Sequence, residues 1–308
     1  TNGAATDDTI LDGFTITGGT GTQISGGNRF GGGLYNPNNA NPTIINCTIS
    51  GNTADVGGGI YNASSHPAVA NCVISGNRAD EGGGIYNFGG SNPAVTNCTI
   101  TGNTADVSGG GICNYNGGNP TVTNCTISGN SSAKGGGLYS EENSSPVIAN
   151  TILWGNTSGS GNDDIYVMSG TATVRNCVVG ESTGSYTSSD VIRTDPRLIS
   201  VDKNMTPTAN SKDVYIYIIS GDSSALGEGL PVGTNSNGIK VPSTDQLGRP
   251  RRTNYADIGV YQHTLNETQE IYTFAISKTS ADLEIGQSVS FEVTVKPINN
   301  AVLTAENP

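Results

Sequence analysis

Charge is scarce in this chain. Only 13 % of its 308 residues are Asp, Glu, Lys or Arg, about half the share usual in globular proteins. Bases are scarcer than acids, 14 against 26, so the formal charge is −12. That balance excludes a nucleic-acid binder, which needs a basic footprint to meet phosphate. Aromatics make up 6 % and apolar residues as a whole 34 %, few enough that order depends on how regularly they are placed. No apolar run reaches the roughly 18–20 residues of a membrane-spanning helix, so direct membrane insertion is not expected. With two His and no Cys-x-x-Cys, the spacing of a zinc site is missing too.

What is abundant is glycine, at 44 residues, about twice the usual share, and it recurs in a repeat. Pro42, Pro67, Pro93, Pro120 and Pro146 are separated by 25, 26, 27 and 26 residues. From each proline the chain reads PTIINCTISGN, PAVANCVISGN, PAVTNCTITGN, PTVTNCTISGN and PVIANTILWGN, and a further copy, ATVRNCVVGE, starts at Ala172. Between them stand GGGIYN (57–62 and 82–87), GGGICN (109–114) and GGGLYS (135–140). LDGFTITGG from Leu11 and GGGLYN at 31–36 extend the array to about 9–180. No segment has helical periodicity, and each repeat holds short β-branched runs broken by Gly and Asn. Short strands repeated about every 26 residues predict an all-β parallel β-helix, each coil stacked on the next.

Three apolar columns follow from the register: Ile44, Val69, Val95, Val122, Ile148 and Val174; Ile49, Ile74, Ile100, Ile127, Leu153 and Val179; and Ile60, Ile85, Ile112 and Leu138. Ile44 and Ile49 lie on opposite parities, so both face inward only if the chain turns between them. Asn46, Asn71, Asn97, Asn124, Asn150 and Asn176 recur at that turn, with Gly13 in the first copy. Asn tolerates the left-handed conformation of such a corner. The Gly51-Asn52 type of dipeptide marks a second corner by the same logic.

Five of the six cysteines, Cys47, Cys72, Cys98, Cys125 and Cys177, share one column, with Thr151 filling its gap. Parallel strands place equivalent residues about 4.8 Å apart with parallel Cβ vectors, whereas a disulfide needs Cβ atoms converging to about 3.8 Å. The column is expected to be reduced and buried, leaving Cys113 as the one thiol within reach of solvent.

The repeats resemble those of right-handed parallel β-helix proteins with the pectin-lyase-like fold. The GGGI and NCTISGN pieces resemble, more loosely, the repeats of polymorphic outer-membrane adhesins. After the array come Asp195-Pro196-Arg197-Leu198, SGDSSALGEG (220–229), DQLGRPR (245–251) and DIGVY (257–261). That order is similar to the tail of bacterial surface β-helix proteins with a choice-of-anchor Q domain. The resemblance covers about 1–262. It implies a secreted or cell-surface bacterial protein and brings no settled activity. The tail is expected to cap the helix, with Arg249, Arg251 and Arg252 sealing its end. Residues 263–270 read as a linker. Residues 271–308, alternating at Val289, Phe291, Val293 and Val295, resemble the opening strands of a bacterial Ig-like module, too short for the roughly 100 residues of a complete sandwich. The chain starts at Thr1 without an initiator Met and stops in mid-pattern, and it reads as a piece of a longer exported polypeptide.

Chemistry has few candidates. The array from 41 to 180 contains eight acids against Arg78, Lys134 and Arg175. Asp163 and Asp164 are the candidate catalytic pair, since paired carboxylates hydrolyse a glycoside when suitably spaced; the plainer reading is a solvated loop. Asp55, Asp80 and Asp106 share one repeat position, where stacked like charges repel and calcium would relieve them; alternatively each Asp caps its own turn. Tyr35, Tyr61, Tyr86, Tyr139 and Tyr166 form a column of outward parity, interrupted at Cys113, that would serve as a sugar-stacking platform; the alternative is Tyr–Tyr stacking that serves only the sheet. The expected function is binding or display on polysaccharide or host-surface glycan, adhesin-like, by a monomer without an obligatory cofactor. A carbohydrate-active enzyme, lyase or hydrolase, is the competing expectation.

Overall fold

The computed structural model describes residues 9–24, 26–159 and 161–202, together with short segments between 215 and 297. The repeat folds as predicted, into a right-handed parallel β-helix of about 26 residues per coil. One face stacks Leu34–Pro37, Ile60–Ala63, Ile85–Phe88, Ile112–Tyr115 and Leu138–Ser140. A second stacks Ile10–Asp12, Thr43–Ile45, Ala68–Ala70, Ala94–Thr96, Thr121–Thr123 and Val147–Ala149. A third stacks Thr15–Thr17, Thr48–Ser50, Val73–Ser75, Thr99–Thr101, Thr126–Ser128 and Ile152–Trp154. Every pair is parallel and in register, and the strand Ile165–Val179 continues all three faces.

The three expected apolar columns are all buried, and together with the cysteines they form one core. Both corners take the conformation that their residues favour. Asn46, Asn71, Asn97, Asn124, Asn150 and Asn176 have φ between +47° and +54°. At the second corner the left-handed residue is the glycine, Gly51, Gly76, Gly102, Gly129 or Gly155, each with φ from +62° to +70°. The Asn that follows points inward and builds a ladder. Asn52, Asn77, Asn103 and Asn130 each donate Nδ2 to the Oδ1 of the next Asn at 2.9–3.0 Å, ending on Asn156. A second ladder runs from Asn36 through Asn62 and Asn87 to Asn114, with Nδ2 to Oδ1 distances of 2.9 Å. These amides satisfy one another inside a core that would otherwise penalise them.

All six cysteines are free and buried. The column has a specific task at the first corner: each thiol donates to the carbonyl two residues back, from Cys47 to Ile45 (3.1 Å), Cys72 to Ala70 (3.2 Å), Cys98 to Thr96 (3.2 Å) and Cys177 to Arg175 (3.0 Å). Thr151 makes the same bond with its hydroxyl to Ala149 at 2.8 Å, which is why it can stand in the column. Cys113 departs from expectation. It is fully buried, because the turn at Gly109 lies against it, and its thiol shares a 3.7 Å hydrogen bond with the Ser108 hydroxyl. Burial pushes the Cys177 thiol up to about 12 and also raises Cys98 and Cys113. Thiolate is the reactive form, so a thiol-specific reagent should titrate none of the six in the native protein and all six in denaturant. One rapidly reacting native thiol would show that a coil opens on the time scale of the assay.

Described parts of the tail lie along the flank of the solenoid. Asn97 Nδ2 donates to Thr244 O (2.9 Å), Gln246 Nε2 donates to Cys72 O (3.0 Å), and Gly259 N donates to Asn150 O (2.7 Å). Arg251 is buried here, donating to Asn97 Oδ1 at 3.1 Å and Gly259 O at 3.0 Å. The outer surface of the third face is therefore covered at Thr99, Thr126, Ile152 and Val178, while Thr15, at its N-terminal end, stays exposed. Arg249 and Arg252 lie outside the described residues. The chain divides into Thr1–His263 and Thr264–Pro308. In the second unit Tyr272–Ile276 pairs antiparallel with Val293–Pro297, Ile276 opposite Val293; Val289, Phe291 and the linker at 263–270 lie outside the described residues.

Candidate functional site

The tyrosine column occupies the outer surface of the first face, as parity requires, but its centre is not exposed. Tyr61, Tyr86 and Tyr139 retain only 7 %, 5 % and 3 % of their surface. Two contacts close them off. The rings lie face to face along the helix axis, Tyr35 on Tyr61 at 5.6 Å, Tyr61 on Tyr86 at 5.5 Å and 8°, and Tyr139 on Tyr166 at 5.7 Å. The glycine turn that opens each repeat then folds over them: a Cβ on Gly82 would stand 2.7 Å from Tyr86 Cβ. Each ring thus occludes its neighbour's face, and an exposed sugar platform at Tyr61 and Tyr86 is ruled out. Burial raises the Tyr61 phenol to about 12, and Tyr139 donates its hydroxyl to Glu141.

Half-buried rings remain at Tyr35 and Tyr166, the two ends of the column, and at a pair absent from the sequence reading, Phe88 and Tyr115. These stand two residues beyond Tyr86 and Cys113, on the same outward parity, which is the signal that would have found them. They stack at 6.2 Å and 11°, and Tyr115 donates its hydroxyl to Glu142 Oε1 at 2.6 Å. On its other side Phe88 is in register with Ala63, and Ala63 with Pro37. The ring row starts there, and Phe88 has a methyl group, not a ring, for its neighbour.

Asp163 and Asp164 lie in no solvated loop: both are buried. They fall where earlier repeats have the second and third glycine, because Leu138 N donates to Asp164 O as Ile112 N donates to Gly137 O. Asp164 is the terminus of the first asparagine ladder. Its Oδ1 accepts from Asn156 N (2.9 Å) and Asn156 Nδ2 (2.7 Å), and its Oδ2 from Glu181 N (3.1 Å). The next coil has no Asn to offer, and a carboxylate supplies acceptors without presenting a donor of its own. Asp163 Oδ2 accepts from Gly135 N at 2.9 Å, while its Oδ1 is buried without a partner. Burial raises both acids, Asp164 to about 6 despite the amides that hold its charged form.

A folded-state value above the unfolded one means that protonation favours the fold. The Asp164 contribution is complete below about pH 4 and lost as pH rises through about 6, a difference of roughly 3 kcal/mol. Removing this titration by Asp164→Asn should flatten the fall in urea midpoint between pH 4 and pH 7 relative to the wild type. Parallel midpoint curves for the two proteins would show that the carboxyl titrates normally.

In the acid row Asp80 and Asp106 are open to solvent and Asp55 is half-buried, and the row is neutralised at Asp106. Asp55 Oδ2 accepts from Arg29 N at 2.6 Å, and Arg78 reaches both Asp106 oxygens at 2.7 and 2.8 Å. Such an exposed pair contributes about 0–1 kcal/mol, but it relieves at one coil the repulsion that a cation was expected to relieve. Among the described residues no three His, Cys, Asp or Glu side chains are grouped as a metal ion needs.

Residues 7–105 match the family described as the right-handed beta helix region. Residues 97–115 and 124–141 match the repeat of the Chlamydia polymorphic membrane proteins. Both matches fall within the repeat array, and the second is a similarity to a repeat of membrane proteins. No curated protein and no solved structure matches the chain.

Proposed function

We propose that this chain is a surface-displayed bacterial binding module, a rigid solenoid that presents a shallow aromatic step to glycans. The observation that carries the reading is the half-buried stacked pair Phe88 and Tyr115 beside Glu142, at the edge of a row that falls to Ala63 and Pro37. A sugar ring laid over Ala63 would meet Phe88 with its C–H face. The scarcity of bases favours neutral sugars over polyuronates. What weighs against the competing lyase or hydrolase reading is that Asp164 has both oxygens engaged by amides and that Asp163 is closed from solvent.

A glycan array run beside a polysaccharide-cleavage screen tests this. Weak, saturable retention of neutral glycans is expected, falling at least tenfold in Phe88→Ala, with a urea curve that shows the variant folded under the conditions of the array. Retention unaffected by that change would remove the aromatic step. Steady release of reducing or unsaturated ends would replace the binding reading with the enzymatic one.

A further inference from the structure

The tripeptide Asn-x-Ser/Thr, with any residue but proline at its centre, is the acceptor motif for N-linked sugar and belongs on a surface loop. It occurs seven times between residues 9 and 192. Two more copies, at Asn204 and Asn266, lie outside the described residues. Six of the seven are products of the repeat. Asn62, Asn130 and Asn156 are rungs of the amide ladders and closed to solvent. Asn97 and Asn124 are buried at the first corner. Asn46 is exposed at that corner, but its amide is committed: Nδ2 donates to Asp12 Oδ1 at 2.8 Å and Oδ1 accepts from Asn71 Nδ2 at 3.4 Å. Asn143 belongs to no such column. It stands in the turn between Leu138–Ser140 and Val147–Ala149, at the place held by Gly90 and Gly117 in the two preceding coils. Those glycines have φ +78° and +76°, and Asn143 has φ +61°, a conformation that Asn tolerates better than most side chains. Asn143 and Ser145 are both exposed, while Ser144 between them is buried and donates its hydroxyl to Glu141 O at 2.7 Å. The two exposed residues are held by their backbone, Asn143 N donating to Ser169 Oγ at 3.4 Å and Ser145 N to Asn119 Oδ1. Among the described residues, the Asn143 carboxamide and the Ser145 hydroxyl have no hydrogen-bond partner. These are the two groups by which the motif is read.

We propose that Asn143 is the position at which the folded solenoid accepts an N-linked sugar, from a donor that holds the sugar as a diphosphate ester of a nucleoside or of a polyprenol. The Asn143 amide nitrogen bonds to the anomeric carbon, and the bond from that carbon to the diphosphate oxygen breaks. The proton lost by the amide leaves with the diphosphate, and nothing is oxidised or reduced. The Ser145 hydroxyl is the element that a transferase recognises, and it is free to be recognised. The fold makes the selection. Every other described copy of the motif has its Asn spent on the core, a ladder or a corner, so the sequence offers seven acceptors and the surface offers one. A sugar on this turn leaves the ladders and columns untouched. It also supplies hydrophilic surface to a chain in which only 13 % of residues are charged. This inference is independent of glycan binding at Phe88, because it needs only the folded chain and a sugar donor.

The test gives the full, folded chain to two enzymes in separate reactions. One is a soluble asparagine glycosyltransferase with a nucleoside diphosphate glucose, the other an oligosaccharyltransferase with a polyprenyl diphosphate oligosaccharide. Peptide mass spectrometry maps the products. In at least one reaction Asn143 should be modified, with an occupancy at least about tenfold above that of Asn62, Asn130 or Asn156, and the reaction that succeeds identifies the donor. Ser145→Ala should lower the occupancy at least about tenfold and Ser145→Thr should keep it, with urea curves that show both variants folded. No sugar at Asn143 of the folded chain in either reaction would overturn the proposal. Equal occupancy at Asn130 or Asn156 would also overturn it, because the motif and not the fold would then choose the site. So would unchanged occupancy in Ser145→Ala, which would mean that the hydroxyl is not read.

Discussion

Replacing Asn103 with leucine is expected to remove at least about 4 kcal/mol of stability, a large part of the 5–15 kcal/mol by which a domain is stable. Leucine has the same branched shape and the same number of side-chain heavy atoms and is no smaller, so no cavity explains the loss. The amide is the junction of four partners. Its Nδ2 donates to Ile74 O and to Asn130 Oδ1, both at 2.9 Å, and its Oδ1 accepts from Asn77 N at 3.0 Å and from Asn77 Nδ2 at 2.9 Å. Leucine leaves the Asn77 N–H without its acceptor, removes one of the two bonds donated by the Asn77 amide and takes a donor from Ile74 O and from Asn130 Oδ1, in a core sealed from water. Each such group costs about 1–3 kcal/mol. The damage spreads along the ladder, because Asn77 is then held on one side only, by Ile49 O, while it accepts from Asn52. Urea denaturation of the two proteins measures the difference. A loss under 1 kcal/mol would mean that water enters the ladder and replaces the amide.

The strength of this ladder explains why so much of the fold could be read from the residues. Every structural decision in a coil is taken again about 26 residues later, so the columns of Ile, Cys and corner Asn stand out against a polar background. Parity then separates inside from outside and locates the corner at Asn46. The second ladder was open to the same reasoning, since Asn62 shares the parity of Ile60, yet an inward Asn next to an inward Ile contradicts the habit of assigning apolar residues to cores. Asp164 was concealed differently. It breaks the glycine triplet that it replaces, and its role depends on the absence of an Asn in the next coil, a feature of the end of the array.

The misreading of the tyrosine column as exposed has a simple cause. Parity distinguishes outward from inward, but it does not report what lies over an outward residue. The tyrosines are covered by turns from their own coils, and Thr99 and Thr126 by a tail whose contacts join residues 147 and 174 apart in sequence. The first cover recurs with the glycines of each repeat but is not visible in the tyrosine column itself, and the second is not periodic at all. The apolar content was sufficient for the fold partly because the outer aromatic row forms a second, separate cluster, so that rings assigned to a ligand already stabilise the solenoid.

Gly84→Ala should be among the most damaging single-methyl changes in the chain, about 3 kcal/mol or more, and for a reason other than conformational freedom. Its φ lies outside the left-handed region. What forbids a side chain is the next coil: a Cβ at this position would stand 2.5 Å from Gly111 O and 3.2 Å from Asn103 Nδ2. The carbonyl cannot withdraw, because it accepts the 2.9 Å hydrogen bond from Ile85 N that joins the two coils. The methyl group must therefore part the coils locally, breaking that bond and disturbing the Asn103 ladder beside it, which exceeds the usual 1–3 kcal/mol of an overpacked core. The same collision recurs at 2.5 Å for Gly59 and Gly111 and at 2.4 Å for Gly137, so the third glycine of each triplet is required by coil spacing. Gly76 provides the contrast. It has φ +62° and nothing within 4 Å, so alanine there meets only backbone strain of about 1–2 kcal/mol. The urea midpoints of Gly84→Ala and Gly76→Ala should be well separated, with Gly84→Ala the lower. Equal midpoints would mean that the coils slide apart easily, and that the β-helix is held by its columns with little contribution from the close backbone approach at its glycine turns.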